Sequence, residues 1–379
     1  MNVAEIAQLV HDLVAIDSVN PDLVPGAAGE GEIAQFVARW LEQAGLDVEL
    51  DEAAPGRPNV VGVARGTGGA RALMLNAHMD TVGVAGMQHP HEPHIAGNRL
   101  FGRGAFDMKG SLAAIMAVGA AAKQRNLRGD VIVTAVVDEE YASIGTDSIV
   151  KRWHADAAIV TEPTGLQLCV AHKGFIWLEI ETSGVAAHGS RPDLGVDAIV
   201  KMGHVLVELE QLDHALRAAP SHPLLGSGSL HASLISGGRE LSSYPDRCVL
   251  AVERRTIPGE TRTIVEAQAQ AMLDRIAARD PSFKATLRTT FERAPFEVAH
   301  DALIVAELRR QASRVLSMEP KMVGETPWMD SAILAAAGIP TVVFGPIGAG
   351  AHAIEEWVDL DSVAQCAQVL LETATTFCA

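Results

Sequence analysis

Imidazole and carboxylate side chains stand where the apolar, β-type runs of this chain give out. "LMLNAHMD" closes on His78 and, two residues on, Asp80. "VIVTAVVDEE" closes on Asp138, Glu139 and Glu140, "AAIVTEPT" on Glu162, and "FGPIGAGAH" carries His352 just past another run. "GRGAFDMKG" sets Asp107 immediately ahead of a helical stretch. In an open α/β sheet, ligands bind at the carboxyl ends of the strands, so one rim can gather all of these groups. Two His, two Glu and one Asp make a nitrogen-and-oxygen set suited to Zn, Co or Mn rather than to thiolate-seeking metals. One carboxylate can bridge two ions about 3.5–4 Å apart, a pair that polarises a carbonyl and acidifies a shared water. A further carboxylate beside the ligands must then carry that water's proton to the leaving nitrogen. Alone, His78 with Asp80 is a chance pattern and Glu139–Glu140 a solvated turn. Their ordered recurrence at successive strand ends gives the metal reading its force.

The elements that must position these groups follow from periodicity. Val3, Ile6, Leu9, Val10, Leu13 and Val14 recur at helical spacing, as do Ile33, Phe36, Val37, Trp40 and Leu41, with Gly45 placed as a helix C-cap. Runs at 59–64, 72–77 and 131–137 read as strands, with a helix over 108–125 between the last two. The alternation predicts an α/β domain whose mixed, largely parallel sheet is sandwiched by helices. After Lys173 the order becomes strand 175–182, helix 195–212, strands 230–235 and 247–252, helix 260–278, strand 285–291. That β-α-β-β-α-β order suits an inserted ferredoxin-like α+β domain. The α/β pattern then resumes, with helices over 301–316 and 330–337 and a strand over 340–344. The expected division is 1–174 with 292–379 for the metal-bearing domain and 175–291 for the insertion.

Composition narrows the function classes. The 379 residues exceed one ordinary core. A formal net charge of −17 leaves no phosphate-neutralising excess, which argues against nucleic acid and against an anionic membrane surface. It leaves room for an anionic substrate held by one well-placed Arg. The longest apolar run, 112–122, falls short of a membrane span. Glu5, His11 and Asp12 spoil a signal-peptide reading, and Cys169, Cys248, Cys366 and Cys378 form no close pair. A cytoplasmic setting is expected.

In its ordered motifs the chain resembles, over nearly its whole length, the co-catalytic zinc metallopeptidase/deacylase family of acetylornithine deacetylase, succinyl-diaminopimelate desuccinylase, carboxypeptidase G and the aminoacylases. The resemblance implies two divalent ions, zinc first and cobalt or manganese otherwise. His78 and Glu162 would hold one, Glu140 and His352 the other, with Asp107 bridging. Asp80 would orient the His78 imidazole, Glu139 would be the general base, and the Asp107–Met108 peptide bond would be cis. Glu at the Glu162 position accompanies deacylases and carboxypeptidases, Asp aminopeptidases, which points to a substrate with a free carboxylate. In "VAAHGSRPDLGVDAI", His188 would reach the scissile carbonyl as an oxyanion donor, often from the partner of a homodimer formed through the inserted lid domain. In "VERRTIPGE", Arg255 rather than its neighbour Arg254 would grip the substrate carboxylate as a planar fork.

The chain departs from the family pattern where the substrate pocket is shaped. Ser242 stands where an Asn is usual, Glu253 replaces an Asp, and the loop ahead of Asp107 reads "MQHPHEPH". Its His89, His91 and His94 suggest a third metal site, but Pro90 and Pro93 break any element that would align them, so an exposed loop is expected. His172 reads as structural. The expected activity is release of an amino acid from an N-acyl-amino acid, by a metal-bridging water that Glu139 activates. A carboxypeptidase or dipeptidase using the same residues stays open, as does an inactive binding protein.

Overall fold

The computed structural model describes residues 2–379. They form two compact units: 2–170, Val298–Val323 and Met329–Ala379 in the first, Ala171–Glu297 and Gly324–Trp328 in the second. The crossovers thus fall a few residues outside the expected 174/175 and 291/292. The reason is local pairing, since Phe296 and Glu297 zip antiparallel onto His172 and Ala171. Gly324–Trp328, assigned by sequence to the metal-bearing domain, belongs to the second unit, where Trp328 sets its ring edge-on to His172 and Phe175.

The sheet of the first unit runs Asp47–Ala54, Arg57–Ala64, Val131–Val136, Leu73–His78, Ala157–Val160, Thr341–Val343, then the start of Leu168–His172. It is mixed, but parallel only through its centre. Val131–Val136, Leu73–His78, Ala157–Val160 and Thr341–Val343 are parallel neighbours, and the flanking strands are antiparallel. The central strands read as unbroken apolar runs because both sheet faces are covered: Leu73–His78 and Val131–Val136 are buried at every position. Gly110–Arg125 packs with Val3–Val14 and Leu360–Phe377, while Ile144–Arg152 packs with Ser331–Ala336.

Three local features depart from the sequence reading. The helix expected from Met108 starts at Gly110, behind a wide turn over Ala105–Lys109 in which Asp107 and Met108 are not helical. The bond between those two residues is cis, as the resemblance implied. Ala105–Arg125 is long and apolar enough to cross a membrane, yet 72% of its most apolar window is buried inside the protein, as befits a core helix. The closing helix Leu360–Phe377, capped by Asp359 accepting from the Ser362 amide, had no counterpart in the expected elements.

In the second unit the strand order is Ser229–Gly237, Arg247–Thr256, Gly174–Ser183, Lys284–Arg293, all antiparallel. With helices Ala198–Ala218 and Arg262–Arg279 joining them, this is the ferredoxin-like arrangement. Ile176, Leu178 and Ile180 alternate inward against Met202, Val205 and Leu273. The other sheet face carries Phe175, Trp177, Glu253 and Arg255, as the period of two requires.

Candidate metal centre

Parallel register brings the site together. His78 ends its strand level with Val136, so Glu139 and Glu140 follow a few residues past the same rim. Val160 pairs with Asn76, which sets Glu162, two residues on, level with His78. Asp107 enters on the wide turn, whose backbone is held by Glu356: this buried carboxylate accepts the amides of Gly104, Phe106 and Asp107 at 3.0, 2.9 and 3.0 Å and pairs with Arg103 at 2.6 Å. His352 arrives on a loop in the left-handed region, φ 61°.

Asp107 stands between two imidazoles, Oδ1 3.1 Å from His78 Nε2 and Oδ2 3.5 Å from His352 Nε2. His78 Nε2 is also 3.5 Å from Glu162 Oε1, and His352 Nε2 is 3.0 Å from Glu140 Oε2. Two overlapping groups result, His78–Glu139–Glu162 and His78–Asp107–Glu140, with one ligand atom per residue within 4.8 Å of the others. All five expected ligands and Glu139 therefore meet at one rim.

The electrostatics are those of a cluster short of positive charge. Burial, then the charge of Glu162, drives the Glu139 carboxyl well above the ordinary range; Glu162 is driven up by burial and by Asp107, and Glu140 likewise. Burial would raise Asp107 too, but hydrogen bonds to His352 and His78 hold it low. Those to Asp107 and Glu140 push His352 up to about 10. Burial works against a charged His78, yet Glu162 and Asp107 raise it. Glu140 Oε1 is buried with no hydrogen-bond partner. Crowded carboxylates, an orphaned acceptor oxygen and two imidazole nitrogens fit divalent cations.

Asp80 departs from its expected role. The His78 Nδ1 hydrogen bond goes to the backbone oxygen of Asp80 at 2.9 Å, with carboxylate Oδ1 at 3.7 Å. The carboxylate instead accepts the amides of Glu139 and Glu140, at 3.1 and 3.2 Å. The mouth-loop histidines diverge: His89 meets Glu92 at 3.0 Å, His91 lies 3.5 Å from Asp17, and His94 stacks on Phe101.

Sequence reasoning missed Glu356 and Asp330. Glu356 lies four residues past His352, but holding backbone amides leaves no spacing signature. Asp330, just ahead of helix Ser331–Ala336, accepts from Thr146 Oγ1 at 2.5 Å while its Oδ1 is buried and unpartnered. Burial raises it to about 6 against the Thr146 and Ser143 hydrogen bonds.

Within the second unit, His188 is exposed. Its Nδ1 accepts the Ser190 amide at 3.2 Å and lies 2.8 Å from Ser190 Oγ, so the neutral ring carries its proton on Nε2, where an oxyanion donor needs it. The Ser242 carbonyl accepts the neighbouring Gly189 amide at 2.7 Å. Arg254 is buried against Glu260. Arg255 faces the open side of the sheet, its Nε donating to Glu253 at 2.6 Å and its guanidinium 5.3 Å from the Phe175 ring centre. Both Nη groups of that fork remain without a protein partner among the described residues.

Comparison with known proteins agrees with this chemistry. Residues 74–376 match the profile of peptidase family M20/M25/M40. An acetylornithine deacetylase of Myxococcus xanthus is 31% identical, covering 91% of this chain and 92% of its own. An N-formyl-4-amino-5-aminomethyl-2-methylpyrimidine deformylase of Bacillus subtilis is 27% identical, covering 99% and 95%. A tripeptidase structure from Staphylococcus aureus superposes with a TM-score of 0.81 at 21% identity, covering 100% of this chain and 99% of that one. The chain therefore belongs to the peptidase family M20/M25/M40 and is a hydrolase acting on amide bonds.

Proposed function

We propose that this hydrolase releases a free amino acid from an N-acyl-amino acid, using two divalent ions, zinc by preference. The observation that carries the reading is Asp107 reaching His78 with one oxygen and His352 with the other. In this assignment His78 and Glu162 would hold one ion and Glu140 and His352 the other, with Asp107 serving both. Bound there, the ions supply Lewis acidity toward the amide carbonyl and acidify water.

The chain's own groups do the rest. Glu139, half-buried beside Glu162, takes the proton of the attacking water and returns it to the amine nitrogen as the tetrahedral intermediate collapses. Asp80, through the amides of Glu139 and Glu140, keeps that turn in place. Arg255 offers its Nη fork to the substrate carboxylate, with Glu253 fixing the guanidinium plane. Ser242 is assigned to substrate binding together with the His188 loop, whose Gly189 amide its carbonyl accepts. His188 donates from Nε2 to the developing oxyanion.

A homodimer through the second unit is part of the proposal. Strand Ser229–Gly237 is an edge, with Leu234 74% and Ile235 54% exposed, and the adjoining helix leaves Val200 and Val207 exposed. An antiparallel edge pairing with its own copy satisfies both ladders at once. The burial of all four cysteine thiols suits a reducing, cytoplasmic setting.

The test is amine release from a panel of N-acetyl, N-succinyl and N-formyl amino acids and dipeptides, with and without a chelator. Chelator-sensitive turnover of N-acyl amino acids supports the reading. Turnover confined to dipeptides would replace it with a peptidase. The N-formyl arm is included because the deformylase relative spans nearly the whole chain.

A further inference from the structure

The turn that carries Glu139 and Glu140 is held by a buried lattice whose side chains, apart from Asp80 and Asp138, precede the family-matched segment 74–376. Its centre is Asn20, wholly buried. The Asn20 side-chain oxygen accepts the Asp22 amide at 2.9 Å, which fixes the amide's orientation. Its nitrogen donates to Asp80 Oδ2 at 2.8 Å and to Asp138 Oδ1 at 3.0 Å. Turned the other way, the amide would set its oxygen against two carboxylates.

Each carboxylate grips one part of the turn. Asp80 accepts the Glu139 and Glu140 amides. Asp138, at φ 66°, accepts from Arg57 Nη1 at 3.0 Å and from the Ile144 amide at 3.4 Å, while its own amide reaches Glu30 Oε1 at 3.3 Å. Arg57 is in turn paired to Glu30. Among the described residues, Asn20 is the one neutral group hydrogen-bonded to both carboxylates, and its backbone is pinned beside that of Asp80. Asn20 N donates to Thr81 O at 2.9 Å, Thr81 N to Ser18 O at 3.0 Å, and Ser18 Oγ to Met79 O at 2.8 Å.

We propose that Asn20 is a positioning residue for catalysis: by holding Asp80 and Asp138 together, it fixes the backbone from which Glu139 and Glu140 project. The consequence for activity rests on the proposed roles of those two glutamates; the anchoring itself does not.

The experiment compares full-length, metal-loaded wild type with Asn20→Ala, and with the milder Asn20→Ser should the first fail to fold. Amide hydrogen exchange is followed in the 137–143 segment and in helix Gly110–Arg125, alongside kcat and KM. Exchange in 137–143 should quicken about tenfold or more while the helix stays protected. On a competent substrate, kcat should fall about tenfold to a hundredfold with KM little changed. Unaltered exchange in 137–143, or equal quickening in the helix, overturns the proposal by making Asn20 passive or globally structural. Local quickening with kcat unchanged would leave the anchoring standing and overturn the role given to Glu139.

Discussion

His352 Nε2 lies 3.0 Å from Glu140 Oε2, joining a loop near the C-terminus to the rim of the central strands. That pair, with Asp107, is the second cation position of the proposal. His352 is 57% exposed at its side chain, whereas His78 is buried, so removing it disturbs little packing. His352→Ala should lower bound metal from two equivalents toward one, measured by elemental analysis after gel filtration, with the fold kept. Loss of both ions together would contradict independent positions.

Glu139→Gln keeps the volume of the side chain and removes its capacity to take a proton. It should retain both ions while kcat falls at least about a hundredfold. Glu139 also lies in the same group of metal-capable atoms as His78 and Glu162. If the variant lost an ion, Glu139 would be a ligand, and the base would have to be another carboxylate.

The metal-stripped chain should lose stability as pH rises. Glu139, Glu162 and Glu140 have folded-state pKa values raised above their ordinary ones, so their contributions are present below the ordinary carboxylate range and vanish as pH climbs through the raised values. His78 and His352 are raised as well, His352 to about 10, and act in the same direction. Asp107 is lowered and opposes them only in acid. Thermal melts of chelator-treated protein from about pH 5 to about pH 9 should therefore show a falling Tm, restored by added zinc. A Tm that rose over that range would contradict the account.

His188→Ala should cut kcat by about a hundredfold or more, the cost of losing one oxyanion donor, with metal content unchanged. Should the His act across a dimer, mixing this variant with Glu139→Gln restores part of the activity, because each heterodimer has one intact site. A mixture that stays inactive after proven subunit exchange, or a monomeric enzyme, rules out action in trans.

Most of the site was legible because strand ends announce themselves. His78, Glu140 and Glu162 follow apolar runs, and Asp107 and His352 stand in motifs of recognisable spacing. What escaped were groups that act through backbone contacts. Glu356 holds three amides, Asn20 bridges two carboxylates, and Asp330 lies buried by Thr146, each brought in from a distant part of the chain. No local period encodes such contacts. In the fold, alternation revealed both units and missed the antiparallel flanks, since a strand's partner direction depends on connections its own residues do not show. Asp80 was located correctly, while its carboxylate's partners became plain only in three dimensions.

The central claim is that one rim holds a pair of cations astride Asp107. Anomalous diffraction at the absorption edge of the bound metal, from crystals of the full chain, tests it most directly. The account predicts two peaks sharing Asp107, one beside His78 and Glu162, the other beside Glu140 and His352. A single peak, or peaks that leave Asp107 uncoordinated, would contradict it.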